Sequence, residues 1–181
     1  MKKEAKEKAK NITLEIIDFF LGIPEALVSG FDRKDAYRVA YGHFNDEQSL
    51  TCDNIAKIFY RLKKRGLVEI KKTNSGESIR FTDKARLVVV DRITSRNGCD
   101  GTKRFVSFDI PEPKRLSRDQ FRRTIKRMGF KQIQKSLWVT DRIVGDLVDI
   151  AAKEYGIQDY VVYIVSDNTN INKTIDQILK Q

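Results

Sequence analysis

Residues 103–140 read KRFVSFDIPEPKRLSRDQFRRTIKRMGFKQIQKSLWVT. The apolar run Phe105-Val106-Ser107-Phe108 ends on a single acid, Asp109, and Ile110-Pro111 follows at once. Proline has no N–H to give a strand ladder, so the strand, read over 104–110, is expected to stop there. An arginine-dense segment of helical periodicity comes next, over 117–128. Phe121, Ile125 and Met128 form its inward stripe and Gly129 ends it. Two short β-type runs follow, 130–134 and 136–140. Reading on toward the C-terminus adds a helix over 142–155, a strand over 159–165 and a short helix or tail over 171–179. Strand, helix, strand, strand, helix, strand is the ferredoxin-like βαββαβ order.

Working outward in the other direction, residues 94–102 (TSRNGCDGT) hold two Gly with Asn, Ser and Asp. They are the expected linker between a first domain, 1–93, and a second, 103–181. Within the first domain, residues 11–28 are expected to form one or two helices. Ile12, Ile16, Phe19, Phe20 and Ile23 make the stripe, Gly22 and Pro24 mark a break, and Gly30 ends the segment. Asp32 can cap a second helix, 32–44, with Ala36, Val39 and Ala40 inward. Residues 45–50 read as a polar turn. Thr51 can cap a third helix, 52–64, whose Ile55, Ile58, Phe59 and Leu62 recur at i, i+3, i+4 and i+7. Alternating runs at 67–72 and 77–82 around Asn74, Ser75 and Gly76 read as a β-hairpin. A helix over 83–93, capped by Thr82, follows. Three helices and then a hairpin is the order of a winged helix-turn-helix, so the expected fold class is α+β.

The chain of 181 residues carries a net charge of +10, which favours a polyanionic partner, nucleic acid ahead of an acidic membrane surface. The charge is uneven: residues 1–30 are net 0, 31–102 net +5, 103–142 net +8 and 143–181 net −3. The positive excess therefore sits in two central blocks. No apolar run approaches the roughly 18 residues of a membrane span. Cys52 and Cys99 have no metal-ligand spacing, and a reduced, cytoplasmic protein is expected.

The third helix and the hairpin carry the candidate duplex-reading residues. A helix fits the major groove, where its outward side chains meet base edges, and hairpin cations reach flanking phosphates. On the helix these are Asn54, Lys57, Tyr60, Arg61 and Lys64; on the hairpin, Lys71, Lys72 and Arg80. A solvated basic face is the alternative. In the second domain Arg118, Arg122 and Lys126 recur at i, i+4 and i+8, with Arg115, Arg123 and Arg127 beside them. Together they form a candidate phosphate-facing row. Trp138 alternates with Leu137 and Val139 and is expected to be core. His43 is the lone histidine, and no nucleophile–base pair, P-loop or HExxH helix occurs.

The string RLKKRGLVEI…GESIRFTDKA resembles the winged-helix superfamily. The string FVSFDIPEPKRLSRDQFRRTIKRMGFKQIQKSLWV resembles the PaaX family of bacterial transcription regulators. It is equally similar to the small CRISPR adaptation endonuclease (Cas-two), whose domain PaaX-type proteins share. The resemblance rests on an apolar strand ending Asp109-Ile110, arginines four apart, Gly129-Phe130 after the helix, and Gln134-x-Ser136-x-Trp138-Val139. It implies a homodimeric, double-stranded-DNA-binding regulator, a repressor, that requires no cofactor. The alternative it implies is a CRISPR adaptation protein with an integrase as partner. Asp109 from each of two subunits would then hold Mg²⁺, which activates water for phosphodiester cleavage. A single Asp109 cannot make that site, and it could instead cap the following turn or pair with Arg118 or Arg122.

Overall fold

The computed structural model describes residues 2–23, 33–48, 51–73 and 76–180. The chain divides into two compact units, Met1–Val89 and Val90–Gln181, and mixes helices with two antiparallel sheets.

In the first unit, α1 (Lys2–Gly22) starts nine residues earlier than its apolar stripe required. The extension is KKEAKEKAK, and Lys, Glu and Ala are strong helix formers that need no buried face to propagate a turn. Ile12, Ile16, Ile17 and Phe20 are buried. The break expected at Pro24 and the caps at Gly30 and Asp32 lie outside the described residues. The second helix, α2 (Arg33–Gln48), buries Ala36, Ala40 and Phe44. It runs through 45–48, which the polar composition had suggested was a turn. His43 stacks on Phe19 at 4.2 Å and meets Phe44 edge-on at 4.6 Å, so the lone histidine is packed among aromatic rings.

Next comes α3 (Cys52–Lys64), with the Thr51 side chain accepting the Asn54 N–H as its N-cap, as the sequence suggested. It is followed by a hairpin of β1 (Val68–Thr73) and β2 (Gly76–Phe81), whose tip residues 74 and 75 lie outside the described set. Phe20, Phe59 and Phe81 meet at centroid distances of 5.3 to 6.3 Å, so α1, α3 and β2 share one aromatic core. The helix expected over 83–93 is two: α4 (Asp83–Val88), capped by Thr82, and α5 (Val90–Asn97), separated by Val89 outside helical dihedrals.

Residues 94–102, expected as a linker, are helix through Asn97 and strand from Cys99. The polar start of β3 (Cys99–Phe108) is held by pairing rather than apolarity: Cys99 lies opposite Arg142, and Asp100 forms an ion pair with Arg104. A 3₁₀ turn (Glu112–Lys114) leads into α6 (Arg115–Arg127), then β4 (Lys131–Gln132), β5 (Leu137–Arg142), α7 (Leu147–Glu154), a second 3₁₀ turn, β6 (Val161–Ser166) and α8 (Asn172–Leu179). The βαββαβ order is as the sequence suggested, and the sheet runs β4-β5-β3-β6 with all neighbours antiparallel. Alternation along β3 sends Val106 and Phe108 to one face and Phe105 to the other. Phe108 meets Phe121 of α6 edge-on at 5.4 Å. Phe105 packs with Val139 and with Ile175 of α8. Gly129 ends α6 at φ 91°, a left-handed dihedral that calls for glycine; a Cβ there would also meet the Arg142 side chain, whose flexible end could shift to admit it.

Candidate nucleic-acid interface

The α3 helix separates its two faces cleanly. Ile55, Phe59 and Leu62 are at most 1% exposed, and Ile58 is buried with them. At about 100° per residue, the ridge opposite that stripe carries Lys57, Tyr60 and Lys64, with Asn54 and Arg61 along one flank. All five are exposed, and Tyr60 is 68% exposed, unusual for a large aromatic side chain. Lys63 and Arg65 add exposed cations at the same helix end. Neither was singled out from the sequence, although the run RLKKR contains both. Among the described residues, Lys57, Arg61, Lys63 and Lys64 make no ion pair.

The hairpin follows directly. Leu67 N–H donates to Leu62 O at 3.0 Å, and Thr82 N–H donates to Leu67 O at 3.1 Å. The Thr82 hydroxyl donates to Gly66 O at 2.8 Å. Both ends of the hairpin are thereby fastened to the end of α3. In the β1–β2 register Glu69 faces Arg80, Lys71 faces Ser78 and Lys72 faces Glu77. Alternation puts Lys71 and Arg80 on the side away from buried Val68 and Ile79. Lys72 falls on the other side, opposite Glu77, which pairs with Arg33 of α2 at 2.9 Å. Of the three hairpin candidates, Lys71 and Arg80 therefore share the outer face and Lys72 is set apart.

The basic row on α6 is built differently. Arg118 donates to Ile110 O at 3.3 Å and pairs with Glu112 at 3.0 Å. The guanidinium of Arg122 lies 5.6 Å from the Phe108 ring centroid, and the Lys126 ammonium 5.7 Å from that of Trp138. Arg115 is exposed and reaches Glu112 at 3.9 Å. Trp138 is 2% exposed and belongs to the core. The Nε atoms of Arg118 and Arg122 and the Nε1 of Trp138 are buried with no hydrogen-bond partner.

Asp109 is exposed just past the end of β3. Its backbone N–H donates to Tyr160 O at 3.1 Å. Its carboxylate makes no hydrogen bond or ion pair among the described residues, so neither suggested arginine holds it; Glu112 occupies Arg118 instead. No group of three or more His, Cys, Asp and Glu residues able to hold a metal occurs among the described residues. The metal site expected from the resemblance takes an Asp109 from each of two copies, and one chain offers one of the two. No described helix is long and apolar enough to cross a membrane.

No curated protein and no solved structure matches this chain. Residues 96–178 match the family model described as the PaaX protein central Cas2-like domain, which spans β3 through α8 save its last residue. That match lies within the second unit, which is similar to the PaaX central domain.

Proposed function

We propose that this protein is a double-stranded-DNA-binding transcription regulator of PaaX type, a repressor, acting as a homodimer. The first unit serves as a winged helix-turn-helix: α3 enters the major groove and the β1–β2 hairpin is the wing. The observation that carries this reading is the unpaired ridge of Lys57, Tyr60 and Lys64, flanked by Asn54 and Arg61, on a helix whose opposite face is wholly apolar. Lys71 and Arg80 on the outer face of the wing reach the flanking phosphates. The second unit joins two copies, so that half-site spacing follows from the two-fold axis. Binding of this kind requires no cofactor.

A titration of the protein against duplex DNA at rising salt tests it. The expected outcome is a steep fall of affinity with salt and a palindromic protected site in a footprint. Absence of duplex binding even at low salt would sink the reading.

A second reading is favoured by one observation, the exposed carboxylate of Asp109, which has no partner among the described residues. In it, Asp109 from two copies holds Mg²⁺ and the protein cleaves or scaffolds nucleic acid as an adaptation component beside an integrase. A nuclease assay with Mg²⁺ on the wild type and on Asp109→Ala decides the cutting part: cleavage must vanish in the variant, and equal activity in both rules it out.

A further inference from the structure

The four-stranded sheet ends in two unlike edges. On one side β4 is two residues, Lys131 and Gln132, both exposed, and a short polar edge resists pairing. On the other side β6 runs for six residues that begin Val-Val-Tyr-Ile-Val. Val162, Ile164 and Val165 are 56%, 46% and 55% exposed. The strand has no lysine, proline or other charge, so it lacks the devices by which monomeric proteins blunt an edge.

The backbone of β6 is oriented for pairing. It runs antiparallel to β3 with Phe108 opposite Val161 and Lys103 opposite Ser166. One step further in the same register, Asp109 N–H donates to Tyr160 O. Opposite residues in such a ladder alternate between pairs that exchange both hydrogen bonds and pairs that exchange none. Tyr160, Val162, Ile164 and Ser166 therefore turn their backbone groups toward β3. Val161, Tyr163 and Val165 turn theirs to the open edge.

We propose that this edge pairs with β6 of a second copy of the chain, antiparallel, about a two-fold axis at Ile164. The proposal rests on the homodimer stated above and names its surface. A two-fold sets a strand against itself, so a charge on the axis meets its like; residues 161–166 have no charge at all. The large positive blocks lie in 31–102 and 103–142, whereas 143–181 is net −3. The cations that β3 sets beside the strand, Lys103 and Arg104, are paired with Asp176 and Asp100, so they add little net charge where two copies approach.

The choice of axis follows from the flanks. Because the outward residues share one parity, the axis falls on a residue. Centred on Tyr163, it sets Asp159 against Asp167 of the other copy. Centred on Ile164, it sets Asp167 against Val161 and Tyr163 against Val165. Ile164 then meets itself in a non-hydrogen-bonded pair, Cα atoms about 4.5 Å apart, within reach of a disulfide. Asp109 lies opposite Tyr160, four residues from the axis. At about 3.4 Å per residue the two Asp109 carboxylates stand more than about 25 Å apart. This pairing and a metal shared between two Asp109 residues exclude each other.

The test uses the full chain with Cys52→Ser and Cys99→Ser, to which Ile164→Cys is added. Mild oxidation with diamide is expected to give a covalent dimer from Ile164→Cys and none from Leu116→Cys, a control at a side chain 80% exposed away from the strand. Light scattering of the wild type at micromolar concentration is expected to give twice the chain mass of 21.0 kDa. Val162→Lys with Val165→Lys should halve that mass while the circular-dichroism melt persists. Equal cross-linking at both cysteine positions, or a dimer that survives the lysines, overturns this surface and leaves the homodimer standing. A monomeric wild type overturns both, and leaves duplex binding to be judged by its own titration.

Discussion

Two helices of equal length, α3 and α6, carry the basic character of this chain, and they use it in opposite ways. The α6 helix has six Lys and Arg residues to the four of α3, yet fewer of them are free. Glu112 and Ile110 O hold Arg118, and Asp91 holds Arg127 at 2.5 Å. Arg122 and Lys126 lie over aromatic rings, and Arg115 reaches Glu112. Among the described residues Arg123 alone on α6 has no partner. None of the four cations of α3 has one. Charge density along a sequence is therefore not the same as charge available to a ligand. A guanidinium whose stem covers a ring and whose head meets a carboxylate belongs to the fold first.

The sharpest way to break this comparison is to remove cations from each helix and measure both affinity and stability. Arg61→Ala with Lys64→Ala should lower duplex affinity by at least about 30-fold, since each base interaction removed costs about 1–3 kcal/mol. The slope of log affinity against log salt should fall by about 1 for each phosphate that no longer meets a cation. Thermal stability should change by no more than about 0.5 kcal/mol, because both side chains are exposed and unpaired. Unchanged affinity would remove α3 from the interface.

The reverse pattern is expected on α6. Arg122→Ala should cost about 1 kcal/mol, because it removes packing on Phe108 and a cation–π interaction, partly offset by removing an orphaned Nε. For a unit of this size that lowers Tm by about 4–8 °C. Arg122→Met, which keeps the stem, should recover most of it, and neither variant should change duplex affinity more than about 3-fold. An affinity loss as large as that of the α3 pair would show that Arg122 faces phosphate after all.

The contrast also marks what a sequence can disclose. The α3 stripe was legible because Ile55, Ile58, Phe59 and Leu62 are apolar at helical spacing and their neighbours are polar. The βαββαβ order was legible because Pro111 and Gly129 punctuate it. The fate of Arg118 and Arg122 was not, since it depends on Glu112 and Phe108, which reach them only once α6 lies on the sheet. The linker at 94–102 failed for a related reason. Gly, Asn and Ser weaken local preference, but Cys99 and Asp100 gain partners, Arg142 and Arg104, that are distant or invisible in a local reading. Likewise the open edge of β6 follows from strand order, and no window of sequence reveals which strand stands last.

The smallest expected effect concerns acid. Asp100 accepts hydrogen bonds from the Arg104 guanidinium at 2.8 and 2.5 Å and from Thr102 N–H at 3.0 Å, which hold its carboxyl well below the usual carboxylate range. Asp91 is also lowered: partial burial is the largest single effect and opposes ionisation there, but the hydrogen bond from Arg127, a backbone hydrogen bond and the charges of Arg127 and Arg92 together outweigh it. A folded-state value below the unfolded one means stabilisation that is complete above the unfolded value, about 4, and lost as pH falls through the folded value. The second unit should therefore melt at lower temperature as pH drops below about 4, and Asp100→Asn should shrink that drop. The substitution should also lower Tm at pH 7, because Arg104 is 8% exposed and would lose its countercharge. The α3 cations, with no carboxylate partner, contribute nothing to this acid dependence. Melting curves at pH 7 and pH 3 for the wild type and Asp100→Asn measure it. An acid drop of the same size in both would take Asp100 out of it and leave Asp91, the other lowered carboxyl, as the next group to test.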